Sequence, residues 1–293
     1  MIDFSKGISA KRTHTNGGRF YGPEDLDVLH STPQPLKPSW TNVASCESAP
    51  GLDEYFKNNG RWSNILGPTT AIIGTITHNA VDLLNNWAME GKTGKKYQID
   101  TDWILNELAT NDDIRWKLVY PSIWGAVEVI KKQIWSYQEW FAEHQPTILH
   151  SEVMMWHPDV PYAGTADLVL NIYNKRQDQD ILMMADLKTG AEMDKHFEQC
   201  MAYAILLEKI YNVKVSALGV LYCNGKWRGS VKQGKMKVKV VRNKNGEFTD
   251  DAKYLTNRVL TVYNLWKSKQ KSDQPSKKIV LPKSFSLTVK SKG

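Results

Sequence analysis

Two acids and a lysine are placed to do chemistry together. Asp167 stands in Gly164-Thr165-Ala166-Asp167, and Asp186 and Lys188 stand in Ala185-Asp186-Leu187-Lys188-Thr189-Gly190. Asp186 closes the apolar run Ile181-Leu182-Met183-Met184-Ala185. A carboxylate at the end of such a buried strand is costly unless something pairs with it, and a divalent cation shared with Asp167 would offset that cost. Strand alternation puts Asp186 and Lys188 on one face and Leu187 on the other. Two carboxylates holding Mg2+ or Mn2+ beside an ammonium suit phosphodiester hydrolysis. The cation polarises the phosphate and acidifies a water, while the lysine positions that water or balances developing charge. Glu152 could add a further carboxylate and His78 an imidazole, a mixed donor set that Mn2+ accepts as well as Mg2+. Each residue also has a plainer reading alone. Asp-x-Lys is an ordinary strand-end ion pair, Asp167 a turn residue, and His78 a hydrogen-bonded core histidine. The combination is what points to a site.

These residues need a scaffold, and the hydrophobic pattern predicts one. Ile65 to Trp87 reads as a helix with Thr69-Thr70 as its cap, its apolar residues Ile72, Ile73, Ile76, Ala80, Leu83, Leu84 and Trp87 following a 3.6 period. A short helical segment is expected over Trp40 to Arg61, another helix over Asp102 to Leu108, and a long one over Tyr120 to Glu143. Trp124, Trp135 and Trp140 are expected to pack against neighbouring elements rather than stack on bases. Beyond Pro146 the pattern changes to strands over Thr147–Trp156, Tyr162–Tyr173 and Asp180–Leu187, with a turn at Pro158 to Pro161. A helix over Phe197–Tyr211, strands over Val215–Cys223 and Met236–Arg242, and a helix over Leu255–Lys269 complete the order. The expected organisation is an irregular arm over 1–38, one domain over 39–270 with a helical insertion at about 100–145, and a basic tail over 271–293.

Composition narrows the classes. The chain has 293 residues, 41% hydrophobic and 24% charged, a soluble globular composition with ample core. No apolar run reaches the length of a membrane span and no signal-peptide core follows Met1, so no membrane partner is expected. Cys46, Cys200 and Cys223 are too few for a four-thiolate zinc or iron–sulfur site and read as thiols in a reducing compartment. The net charge of +7 belongs to the end of the chain: Lys267 to Gly293 holds eight lysines and one aspartate, and the remainder is formally neutral. Within Arg228–Lys244 there are seven basic residues and no acid, with Lys235, Lys237 and Lys239 on one strand face. Such a face either protects a sheet edge from aggregation or tracks phosphates. Trp62 and Trp227 are possible stacking platforms that nothing in the sequence selects. There is no Gly-x-x-x-x-Gly-Lys-Ser/Thr segment, so ATP use is not expected and unwinding would fall to a separate helicase.

Five segments in order resemble the PD-(D/E)xK nuclease superfamily, in particular its RecB-like exonuclease branch. They are Gly74-Thr75-Ile76-Thr77-His78, Glu152, Gly164-Thr165-Ala166-Asp167, Asp186-Leu187-Lys188 and Gln199-Cys200-Met201-Ala202-Tyr203. Pro38-Ser39-Trp40-Thr41 is further similar to a Pro-Ser-x-Thr segment of the mitochondrial genome maintenance exonuclease group. The likeness runs from Pro38 to about Asn224. It departs from the commoner pattern in having Asp rather than Glu before the lysine, and it lacks the iron–sulfur cysteines of some branches.

The resemblance implies an α/β, restriction-endonuclease-like αβββαβ core, with a mixed sheet flanked by helices and an N-terminal helical region. It implies that His78, Asp167, Asp186 and the main-chain carbonyl of Leu187 bind metal, that Glu152 binds a second metal or a metal water, and that Lys188 orients the nucleophile. Gln199 and Tyr203 would contact phosphates of the scissile strand. Outside the resemblance, but beside such a site, the face of Lys235, Lys237 and Lys239 is read as tracking DNA phosphates. The implied activity is a Mg2+- or Mn2+-dependent DNA exonuclease working on single strands or ends, with no cluster and no ATP. A separate helicase or single-strand-binding protein is a conceivable partner. A structure-specific endonuclease on the same site, or a non-catalytic nucleic-acid-binding protein reusing the fold, are the alternatives. A cytoplasmic setting is expected, that of a bacterial host if the chain is phage-borne. A mitochondrial address is not supported by first residues that include Asp3.

Overall fold

The apolar runs after residue 146 assemble the sheet that carries the acids. The computed structural model describes residues 10–15, 18–23, 36–47, 57–91, 97–174, 178–223 and 234–270. Strands β4 (Thr147–Met155), β5 (Gly164–Asn174), β6 (Gln179–Lys188), β7 (Ala217–Tyr222) and β8 (Lys235–Val240) lie side by side in chain order. The pairs β4/β5, β5/β6 and β7/β8 are antiparallel and β6/β7 is parallel, so the sheet is mixed. A parallel neighbour cannot be reached by a tight turn. Helix α6 (Lys195–Tyr211) makes that connection and ends at Asn212, whose left-handed φ of 51° suits an asparagine C-cap.

Helices cover both faces. On one face, α6 packs with α1 (Trp40–Ala44) and α7 (Asp250–Lys269) through Phe197, Met201, Leu206, Trp40, Val259 and Trp266. On the other lies α2 (Ser63–Met89), whose Val81 and Leu84 meet Leu168, Leu170 and Met183 of the sheet. The remaining apolar positions of α2, among them Ile72, Ile73, Ile76 and Ala80, face outward. Helices α3 (Thr101–Thr110), α4 (Trp116–Val119) and α5 (Ile123–His144) cover them with Ile104, Leu108, Trp116, Ile130 and Ile134. These three helices therefore build a second apolar layer behind α2. A buried bond from Thr77 Oγ1 to Gln133 Oε1, 2.6 Å, fixes α2 against α5.

Several expectations need correction. Helix α2 begins at Ser63, six residues before the proposed cap: Thr69 is buried within the helix and Thr70 Oγ1 donates back to Leu66 O. Pro68 sits inside it. Proline offers no N–H to the carbonyl four residues earlier, and Arg115 Nη1 donates to that Asn64 carbonyl at 3.3 Å instead. Arg115 is itself gripped by Asp113, with Nε 2.8 and 2.9 Å from the two carboxylate oxygens. The segment expected as an irregular arm supplies a three-stranded antiparallel sheet, β1 (Ala10–Thr15), β2 (Gly18–Pro23) and β3 (Lys37–Pro38), with Phe20 and Tyr21 buried. Helical structure in the expected Trp40–Arg61 segment is confined, among the described residues, to α1 and one turn leading into α2. Of the three tryptophans expected to pack, Trp140 is buried, while Trp124 and Trp135 stand on the surface. The three cysteines are free, Cys200 and Cys223 buried and Cys46 partly so. Among the described residues no helix is long and apolar enough to cross a membrane. Trp227, Arg228, Lys232 and the tail over 271–293 lie outside the described residues.

Candidate metal centre

Strand register brings the acids together. Ser151 pairs with Leu168 and Val153 with Ala166, so Glu152 lies opposite Asp167. One step beyond the last β5/β6 pair, Leu168 with Ala185, lie Asp167 and Asp186. Three carboxylates thus occupy matched positions on three adjacent strands, about 4.8 Å apart at the backbone, from which their side chains can converge. Glu152 holds a left-handed φ of 51°. A non-glycine residue there is strained, and such strain persists where the surroundings over-determine it.

Helix α2 contributes the imidazole. Gly74 passes so close to the end of β6 that a Cβ on it would stand 3.1 Å from Thr189 Oγ1. That approach, one turn before His78, lets the ring reach the sheet, and His78 Nδ1 lies 3.6 Å from Asp167 Oδ2. Ligand atoms of His78, Glu152 and Asp167 all fall within 4.8 Å of one another. They line a small recess together with Val81, Asp82, Asn85, Ser151, Leu168 and Leu187.

Asp186 is placed differently. Lys188 Nζ stands 2.6 Å from its Oδ2 and Gln199 Nε2 donates to its Oδ1 at 2.8 Å, so it is held beside the three-residue group rather than in it. Leu187 contributes through its main chain: its N–H donates to Asp167 Oδ2 at 2.8 Å. Tyr203 is buried with its ring against Gly164, where a Cβ would lie 2.4 Å from Cε1. Gln199 and Tyr203 therefore line the inner wall behind the acids. Lys235 and Lys237 both reach Glu192, and Lys239 stands 5.2 Å from the centre of the Phe197 ring. These lysines lie on β8, an edge strand, and exposed pairs of this kind contribute little to stability.

The electrostatics show a group of carboxyls without enough positive charge. Burial, then Asp167 and Asp82, push the Glu152 carboxyl up to about 8, although the residue keeps open surface at the mouth of the recess. Burial also raises Asp167 and Asp186, against the opposing pull of Lys188. Burial alone would depress Lys188, but Asp186 and Asp167 outweigh it and hold the ammonium above its ordinary range. Burial and Lys188 push His78 down to about 4, which leaves a neutral imidazole with a lone pair to offer. One imidazole, several carboxylate oxygens and a main-chain carbonyl match the donors that Mg2+ and Mn2+ take. A cation here would discharge the crowded carboxyls.

Sequence reasoning missed three residues. Asp82 lines the recess one helical turn after His78, and its Oδ1 is buried with no hydrogen-bond partner among the described residues. Its signal was available, since residues i and i+4 share a helix face. Arg12 and Arg19 act electrostatically on Glu152 and Asp167 from the N-terminal sheet, which carried no recognisable signal. No protein-family model matches this chain, and no curated protein matches it either.

Proposed function

We propose that this chain is a divalent-metal-dependent nuclease of the PD-(D/E)xK kind, hydrolysing DNA as an exonuclease on single strands or ends. The observation that carries the reading is the convergence of His78, Glu152 and Asp167 within 4.8 Å, with the Asp186–Lys188 pair beside them. The succession of α2, three antiparallel strands, α6 and the parallel β7 agrees with the αβββαβ core that this reading requires.

Bound Mg2+ or Mn2+ would supply Lewis acidity toward a phosphate oxygen and lower the pKa of a water. Everything else falls to the chain. Neutral His78 and the carboxylates of Asp167 and Glu152 would hold the cation, and the Leu187 N–H would keep Asp167 aimed at it. Lys188, held by Asp186, presents an ammonium that can orient the attacking water and balance charge on the phosphate. The phosphorus–oxygen bond to the leaving nucleotide breaks as water adds; the proton lost by that water passes to solvent, and a proton from solvent caps the leaving oxygen as a hydroxyl. No covalent enzyme intermediate is required.

The test is digestion of end-labelled single- and double-stranded DNA, and of RNA, with Mg2+, Mn2+ or EDTA. Metal-dependent loss of DNA from ends is expected, abolished in Asp167→Asn and Lys188→Ala. Closed circular single-stranded DNA should survive, and its cutting would move the assignment to an endonuclease. Absence of metal-dependent hydrolysis of every substrate would refute the reading.

A further inference from the structure

We propose that the N-terminal three-stranded sheet is a cationic grip for the phosphodiester backbone of single-stranded nucleic acid, with Arg12 and Arg19 as its phosphate-binding residues. The proposal deepens the nuclease reading and rests on it.

The sheet is fixed to the acid-bearing strands. Ser39 and Ala163 form a parallel bridge, Ser39 N donates to Arg19 O at 2.8 Å, Trp40 N donates to Ala163 O at 2.8 Å, and Ala163 N to Pro38 O at 2.9 Å. Tyr21 reaches across to Thr165 Oγ1 at 3.0 Å, two residues before Asp167. Ala10 and Tyr21 share a buried cluster with Trp156 and Ala163. Arg12 pairs in register with Tyr21, so its backbone is held through the same contacts, and its charge is felt by Glu152.

The two guanidiniums are differently held. Arg19 Nη2 donates to Thr41 Oγ1 at 2.6 Å, and Thr41 meets Ser39 Oγ at 3.1 Å. A guanidinium has five N–H donors, and this contact uses one. Arg12 is exposed. Among the described residues neither guanidinium comes within ion-pair distance of a carboxylate, although both lower the pKa of the acids from a distance, Arg12 that of Glu152 and Arg19 that of Asp167. A recess crowded with carboxyls repels a polyanion, so a strand must be held by cations at its rim. On the opposite flank Lys235 and Lys237 are engaged with Glu192. Among the described residues Arg12 and Arg19 form no ion pair with an acid, and they can take phosphate oxygens in the fork geometry that guanidinium favours.

The experiment measures binding of a fluorescent oligothymidylate by anisotropy, with EDTA present, across a range of salt. Wild type is compared with Arg12→Gln, Arg19→Gln and the double variant, and melting temperatures confirm folding. Each neutralised guanidinium should lower the slope of log affinity against log salt by about 0.7, and the double variant should bind about tenfold more weakly at low salt. Arg12→Lys, which keeps the charge, should restore the slope. Mn2+ affinity, read by calorimetry, should not fall in any variant. Wild-type affinity and slope in the double variant would overturn the grip and leave the nuclease reading standing if the wild type still cleaves. No binding by the wild type would also overturn it. A wild type that binds but never cleaves, with weakened double-variant binding, would uphold the grip and refute the nuclease.

Discussion

Replacing Lys188 with Met removes the ammonium 2.6 Å from Asp186 and leaves that nearly sealed carboxyl, 1% exposed, without its cation. Breaking a buried ion pair from one side costs about 3–5 kcal/mol, because the stranded charge stays desolvated. In a chain of this size each kcal/mol moves Tm by about 2–4 °C, so a fall of roughly 6–20 °C is expected in EDTA near pH 8.5. The cost must depend on pH. Burial already raises Asp186, and Lys188 is the largest force opposing that rise. Without Lys188 the folded pKa climbs further above the unfolded value. The folded state then binds more protons than the unfolded one in that window, and stability falls as pH rises through it. Near pH 5.5 Asp186 accepts a proton and the gap from wild type should narrow. Adding Asp186→Asn removes the stranded charge and should recover most of the lost Tm near pH 8.5. Differential scanning calorimetry of the three proteins at both pH values is the assay. A pH-independent loss below about 1 kcal/mol, or no recovery in the double variant, would refute the reasoning.

Mn2+ binding near pH 7 should release protons, because the Glu152 carboxyl, raised to about 8, is mostly protonated there and must ionise to bind. Calorimetry in two buffers of different ionisation enthalpy would measure the release, which should disappear near pH 9. His78→Ala should weaken Mn2+ binding by at least tenfold in the same titration. Gly164→Ala should destabilise by about 1–3 kcal/mol, since the new Cβ would meet the buried Tyr203 ring at 2.4 Å. Gly219→Ala meets the flexible side chains of Met183 and Met236, with sulfurs at 2.7 and 2.8 Å, and should melt closer to wild type.

The sheet and its long helices were legible because burial imposed a period on them. Ile181 to Ala185 could only be a central strand, and the apolar positions of α5 step as a helix must. The Asp186–Lys188 pairing followed from alternation alone. The N-terminal sheet was hidden because its strands are short, rich in polar residues and glycine, and held largely by backbone contacts such as Trp40 N to Ala163 O. The cap of α2 was misplaced rather than its extent: the helix expected from Ile65 begins at Ser63 and runs through Pro68, where a distant donor serves the carbonyl that proline leaves free. The convergence of Glu152 with His78 needed β4 register and helix packing together, and neither is written in local sequence.

That distant donor gives α2 an unusual history. Its first turns cannot satisfy Asn64 O from within; the partner, Arg115, lies 51 residues further along the chain. Helix formation is ordinarily a local event of low contact order, but the segment around Pro68 completes its hydrogen bonding only after the loop before α4 has docked. The His78 end needs no such help. During folding, the half of α2 that carries the imidazole can therefore form early, while the other half waits on a tertiary contact. Native-state hydrogen exchange should find the helix divided at Pro68, its opening turns breathing with the loop that carries Arg115 and its later turns with the sheet.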